Sequence, residues 1–153
     1  MSRLFFFCCA LIAFLVLGCG GPGVAATSLS GKEAEMHETG TASLLAGSKV
    51  YTLKWADTEA AAELRQQLPL AKTFTELHGN EKYYKLPQHL TAADEDIREI
   101  HKGDVMLFDG QYVVVFYQDF QTTYRYTRLG HVEAADDLDA ALGAGDVFLT
   151  LQP

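Results

Sequence analysis

DVMLFDGQYVVVFY, residues 104–117, places an apolar run on each side of Asp109-Gly110. Asp-Gly accepts the positive φ values of a type I′ turn, so the stretch predicts a β-hairpin. The chain on either side continues in the same idiom. KVYTLKW (Lys49–Trp55) alternates, with Tyr51, Leu53 and Trp55 on one face and Val50, Thr52 and Lys54 on the other. KTFTELHG and EKYYKL read as two strands around a turn at Gly79-Asn80, and Pro87 ends the second. TYRYTRLGHV and DVFLTLQ complete the set.

Two helices interrupt the strands. Asp57 or Thr58 caps TEAAAELRQQL, where Ala61, Leu64 and Leu68 form one apolar stripe and Pro69 stops the helix. AADDLDAAL is the second, with Gly143 beyond its end. Seven or so strands, two short helices and one core predict a mainly β fold, a closed or nearly closed barrel whose helices plug its ends. Ser48–Pro153 has the length for one such domain. TAADEDIREIHKG reads as a polar excursion between strands, with DEDIRE a solvated acidic loop rather than a calcium site.

The front of the chain is of another kind. Arg3 precedes an uncharged run, Leu4–Leu17, shorter than the roughly 18–20 residues that span a bilayer, which is the pattern of a signal peptide. LVLGC (Leu15–Cys19) resembles the lipobox of bacterial lipoproteins, with Leu17 where Ala or Ser is commoner. That resemblance implies removal of residues 1–18 and lipid on the thiol of Cys19. The alternative is a secretory signal cut near Gly23–Ala26. Gly20 to Gly47 is rich in Gly, Ser, Thr, Ala and Glu and reads as a flexible tether, so the organisation expected is signal 1–18, tether 19–47 and domain 48–153. Cys8 and Cys9 leave with the signal and Cys19 is consumed, so the domain has neither thiol nor disulfide.

Formal net charge is −8, and removing residues 1–18 takes away one arginine and no acid. An acidic domain without a basic stripe argues against nucleic-acid binding and leaves membrane attachment to the lipid. The domain lacks serine and cysteine after Ser48, which excludes serine-triad and thiol chemistry. No Gly-rich phosphate loop is present, and His37, His78, His89, His101 and His131 form no short metal-ligand pair. Neither cofactor nor metal is expected.

Two places carry recognition chemistry. In Thr123–Leu129, strand alternation puts Tyr124, Tyr126 and Arg128 on one face: amphipathic rings beside a planar cation. The same residues also fit cross-strand tyrosine packing and a salt bridge from Arg128 to Glu81 or Asp104. The second place is HGNEKYY, where Asn80 and Glu81 either face a groove or serve the turn. If the turn lies beside Tyr117 and Arg128, the two places make one cleft.

In order and spacing, LPL…F…ELHGNEKYYKL, GDVMLF, FYQDFQTTYRYTRLGHV and ALGAGDV resemble the small bacterial cyclophilin-like proteins, over Lys49–Gln152. The resemblance implies a cyclophilin-type barrel in a group generally of unassigned function. True cyclophilin isomerases carry a segment of the type Phe-x-Arg-x-Ile-Pro-x-Phe-x-x-Gln-Gly-Gly-Asp, whose arginine weakens the prolyl amide. That segment is absent here, and Trp55 is the only tryptophan. The expectation is an exported lipoprotein, on the periplasmic face of the outer membrane in a Gram-negative cell. Its domain is expected to hold a peptide or small ligand without catalysis, through Tyr117, Tyr124, Tyr126, Arg128, Asn80 and Glu81. The alternatives are a divergent peptidyl-prolyl isomerase using Arg128 or Arg125, and a purely structural envelope lipoprotein.

Overall fold

A computed structural model describes residues 40–153. The signal segment, Cys19 and the tether up to residue 39 lie outside the described residues. The strands are β1 (Thr41–Ala46), β2 (Lys49–Trp55), β3 (Leu70–Leu77), β4 (Glu81–Lys85), β5 (Glu95–Asp96), β6 (Glu99–Ile100), β7 (Asp104–Phe108), β8 (Tyr112–Phe116), β9 (Phe120–Gln121), β10 (Arg125–Val132) and β11 (Val147–Gln152). Helix α1 (Glu59–Gln66) follows β2, and α2 (Leu138–Leu142) follows a 3-10 turn at Ala135–Asp137.

Eight antiparallel strands close on themselves in the order β2-β1-β11-β3-β4-β8-β7-β10, with β10 returning to β2. Mainly β, a closed barrel and two short helices were all legible in the sequence. The domain starts earlier than Ser48, however. Thr41–Ala46, inside the stretch read as tether, is a strand paired with β2 on one edge and β11 on the other. Its residues are too small and polar to announce a strand, but Ala42, Leu44 and Ala46 alternate inward and are buried. Two paired edges supply what local propensity lacks.

The Asp109-Gly110 turn has the expected geometry: φ is 48° and 64°, and the Gln111 N–H closes on the Phe108 carbonyl at 3.1 Å. The turn between β3 and β4 repeats it, with φ of 56° at His78 and 74° at Gly79 and the Asn80 N–H on the Leu77 carbonyl at 3.3 Å. Closure rests on Gly130. There β10 shifts register against β7 and crosses onto β2, and a Cβ would overlap the Lys54 carbonyl oxygen.

Thr58, not Asp57, caps α1: its Oγ1 accepts the Ala61 N–H at 3.2 Å and donates to the Arg128 carbonyl at 2.7 Å. That bond ties the helix to β10, while Ala60, Ala61 and Leu64 enter the core. The core inside the barrel is mostly aliphatic, with Leu44, Leu53, Leu107, Val115, Leu129 and Leu149 among its members. Among the described residues one charged side chain is fully buried. Lys82 donates to Glu76, to the Gly143 carbonyl at 2.8 Å and to the Gly145 carbonyl at 2.6 Å. An ammonium has three donors, so it is fully satisfied while it pins the loop between α2 and β11.

Candidate functional site

Strands β4, β7, β8 and β10 are covered on their outer side as well. On β8 and at the residue after it, Val113, Val115 and Tyr117 join the interior core, while Val114 and Phe116 join a second cluster with Met106, Tyr126, Ile97 and Ile100. The last two come from the excursion read as polar. Ile97 and Ile100 point down from it and are buried, and β6 pairs with β9 to make a two-stranded ribbon beside the barrel. The charged residues around them had masked these two anchors. Thr127 clamps the start of the excursion, accepting from the Ala93 N–H at 2.8 Å and donating to Asp94 at 2.7 Å.

The second cluster does not fill the space it borders. A groove of about 950 Å³ opens between the β3–β4 turn and the ribbon. Its walls are aromatic: Tyr83, Phe108, Tyr112, Phe120, Tyr124 and Tyr126. The rings form a continuous surface, with centroids 6.0 Å apart for Tyr83–Tyr112, 6.4 Å for Phe108–Tyr112, 5.7 Å for Phe108–Tyr124 and 5.6 Å for Phe108–Tyr126. His78, Asn80 and Glu81 enter from the turn, and Arg98, Glu99 and Thr122 from the opposite side.

The groove's electrostatics follow from what stands behind the turn. Glu76 accepts from the Tyr117 hydroxyl (2.8 Å to each oxygen), from the Gly79 N–H at 2.8 Å and from Lys82. Burial pushes its carboxyl up, but these donors together outweigh that and hold it below the usual range. Glu81 lacks such help. Burial, with the nearby charge of Glu76 added, pushes its carboxyl up to about 7. Tyr126 is pushed up to about 12, by burial first and by Glu81 next, against the pull of a hydrogen bond with Thr122. The Asn80 side-chain oxygen is buried without a hydrogen-bond partner. The groove therefore presents a carboxyl that changes charge near neutrality and a phenol that keeps its proton.

Of the residues singled out in the sequence, Asn80, Glu81, Tyr124 and Tyr126 come together here. Tyr117 does not line the groove. It is buried in the barrel core, and its hydroxyl, pushed up to about 12 by burial and by Glu76, braces that carboxylate. Arg128 lies elsewhere, and its salt bridge goes to Glu95 at 3.4 Å rather than to Glu81 or Asp104. Asp104 is taken by His131 Nδ1 at 3.0 Å and the His101 N–H at 2.9 Å. Nor does Arg125 line the groove; it donates to the Asp94 carbonyl at 2.6 Å. The sequence reading missed Tyr83, Phe108, Tyr112, Phe120 and Arg98. For Tyr83 the signal was present in EKYYK, where Glu81 and Tyr83 share a face and Lys82 and Tyr84 the other.

Among the described residues no three His, Cys, Asp or Glu side chains converge as metal ligands. A sequence model of the cyclophilin-like family matches residues 44–152, nearly the whole of the described domain. No curated protein and no solved structure matches the chain.

Proposed function

The chain belongs to the cyclophilin-like family, and from that premise we propose that it is a lipid-anchored binding module of the cell envelope whose outer groove holds a peptide or small ligand. The observation that carries the reading is the groove itself. Six aromatic residues line one open site on a barrel whose core is complete without them. An aromatic surface with a few convergent polar groups is the common make-up of a ligand site. Attachment through Cys19 is supported by the sequence of Leu15–Cys19 and lies outside the described residues. A Cys19→Ser chain is expected to lose membrane association; its retention in the membrane fraction would refute the anchor.

A second reading, a divergent peptidyl-prolyl isomerase, is favoured by one observation. Arg98 lines the groove, where Arg125 and Arg128 do not. Its side chain is largely exposed and bonded to Asp96 at 2.6 Å, so it is not held against a substrate amide in this state. Exchange NMR on short Xaa-Pro peptides separates the two readings, because uncatalysed isomerisation takes tens to hundreds of seconds. The binding module is expected to shift groove resonances without accelerating exchange. Acceleration at sub-stoichiometric protein, lost in Arg98→Ala, would establish the isomerase instead.

A further inference from the structure

The groove is one-sided in charge as well as aromatic. Glu81, Glu99 and Asp109 line it, against Arg98 as its one Lys or Arg, and Arg98 is already paired with Asp96. The same outer wall already seats one ammonium group: Lys85 Nζ lies 5.3 Å from the centroid of the Tyr112 ring. Ring faces carry negative potential and attract cations, most strongly where water is partly excluded and a carboxylate stands nearby.

We propose that the groove selects ligands bearing an ammonium head, seated against the Tyr83, Phe108, Tyr112 and Tyr126 rings with Glu81 as its counter-ion. The inference rests on the binding-module reading and adds the ligand's chemical class to it. Charge complementarity commits it to a cation: Glu76 already has Lys82, but an anionic or merely apolar occupant leaves the Glu81 carboxylate partly buried with no cation of its own. The ammonium head has two sources, a free quaternary amine or the lysine side chain of a peptide.

Binding is coupled to one proton. The titratable groups interacting with the Glu81 carboxyl are Glu76 and Tyr117 from behind the turn and Tyr126 from β10, and the other charged or titratable groups lining the groove are His78, Tyr83, Arg98, Glu99, Asp109, Tyr112 and Tyr124. A cation that favours the ionised carboxylate binds more tightly as pH rises through about 7. Choline does not titrate there, so it reports the protein's groups alone.

The test uses the full-length chain in mild detergent and two matched pairs of probes. The first is choline against its neutral isostere 3,3-dimethylbutan-1-ol. The second is N-acetyl-lysine methylamide against the norleucine analogue. The expected result at pH 8 is at least a ten-fold preference for the charged member of one pair, which identifies the source. That preference falls several-fold at pH 5.5 and disappears in Glu81→Gln. Equal affinity within both pairs overturns the cation proposal while the groove remains a binding site. A preference that Glu81→Gln retains removes Glu81 as counter-ion and overturns it too. If none of the four probes shifts a groove resonance the cation proposal falls, and if the Xaa-Pro panel also fails the binding module falls with it.

Discussion

Two apolar clusters share the same strands and differ in kind. The interior cluster is dominated by Leu and Val, is closed by eight strands and reaches nearly zero exposure at Leu44, Leu53, Leu107, Leu129 and Leu149. The outer cluster is built around Phe116 and Tyr126, with Tyr83, Phe108, Tyr112 and Phe120 only partly buried against it. The interior's aliphatic majority packs without a polar handle, and its buried tyrosine hydroxyls are already taken by Asp137 and Glu76. Rings that end in hydroxyls can be half-wet at little cost, so they line a surface that stays open. The lesson is that burial on both faces of a strand does not make both faces core. One side closes the barrel, and the other supports a site.

Adjacent residues on β7 give the most severe trial of that contrast. Leu107 belongs to the interior and Phe108 to the outer wall. Leu107→Ala is expected to destabilise by about 3–4 kcal/mol in urea titration, since a fully buried leucine leaves a cavity. Phe108→Ala removes the larger side chain, yet is expected to cost only about 1–2 kcal/mol because its site already opens to water. Equal losses would mean that the outer wall is core, and the distinction would fail.

Lys82 comes next, as the one fully buried charge among the described residues. Lys82→Met leaves Glu76 without its cation and frees the Gly143 and Gly145 carbonyls. Breaking such a pair from one side costs about 3 kcal/mol. Adding Glu76→Gln is expected to recover part of the loss, since it removes the stranded carboxylate. A double variant weaker than the single would show that Tyr117 and Gly79, rather than Lys82, are Glu76's main partners.

Glu81 tests the groove side by pH. Its carboxyl is raised from an ordinary value near 4.5 to about 7 in the folded chain, by burial and then by Glu76. The folded protein therefore binds more protons between those values. The stability this group contributes is complete below about pH 4.5, declines as pH rises and is gone above about 7. Discounted for the solvent in the groove, the change is about 1–2 kcal/mol. Glu81→Gln is expected to flatten that part of the curve, making the variant relatively more stable at pH 8 than at pH 5. A wild-type profile that is already flat across this window would place Glu81 in water.

How far these features were legible depends on what set them. The hairpins, α1 with its threonine cap and the closing strand follow from local rules, and the sequence carries them openly. Thr41–Ala46 was hidden because two neighbouring strands, not its own composition, make it a strand. Asn80 and Glu81 were readable as polar residues at a turn, and Tyr124 and Tyr126 as aromatics on one strand face. What joins them was not readable, because it depends on Ile97 and Ile100 folding the excursion back onto β7 and β8. YVVVF, apolar on every residue, gives no sign of which side faces inward. Arg128 looked like a groove residue by strand alternation, but its salt bridge goes to Glu95 on β5, which pairs with β10 at Arg125 and Tyr126.

The smallest stability effect belongs to the residue most committed to recognition. Tyr124 is 63% exposed and precedes β10, meeting the wall in an edge-on contact with Phe108 at 5.7 Å. Tyr124→Ala is expected to change unfolding free energy by less than about 0.5 kcal/mol, as for other surface positions. A large exposed ring at a groove mouth has solvation to gain from a ligand, so the same change is expected to weaken binding of the preferred probe several-fold. Tyr126→Phe gives the complementary outcome. The buried ring stays, its hydroxyl and the bond with Thr122 are lost, and both stability and affinity should fall modestly together. If Tyr124→Ala instead unfolds the domain while leaving affinity per folded molecule intact, the exposed ring is a structural latch and the outer wall serves the fold alone.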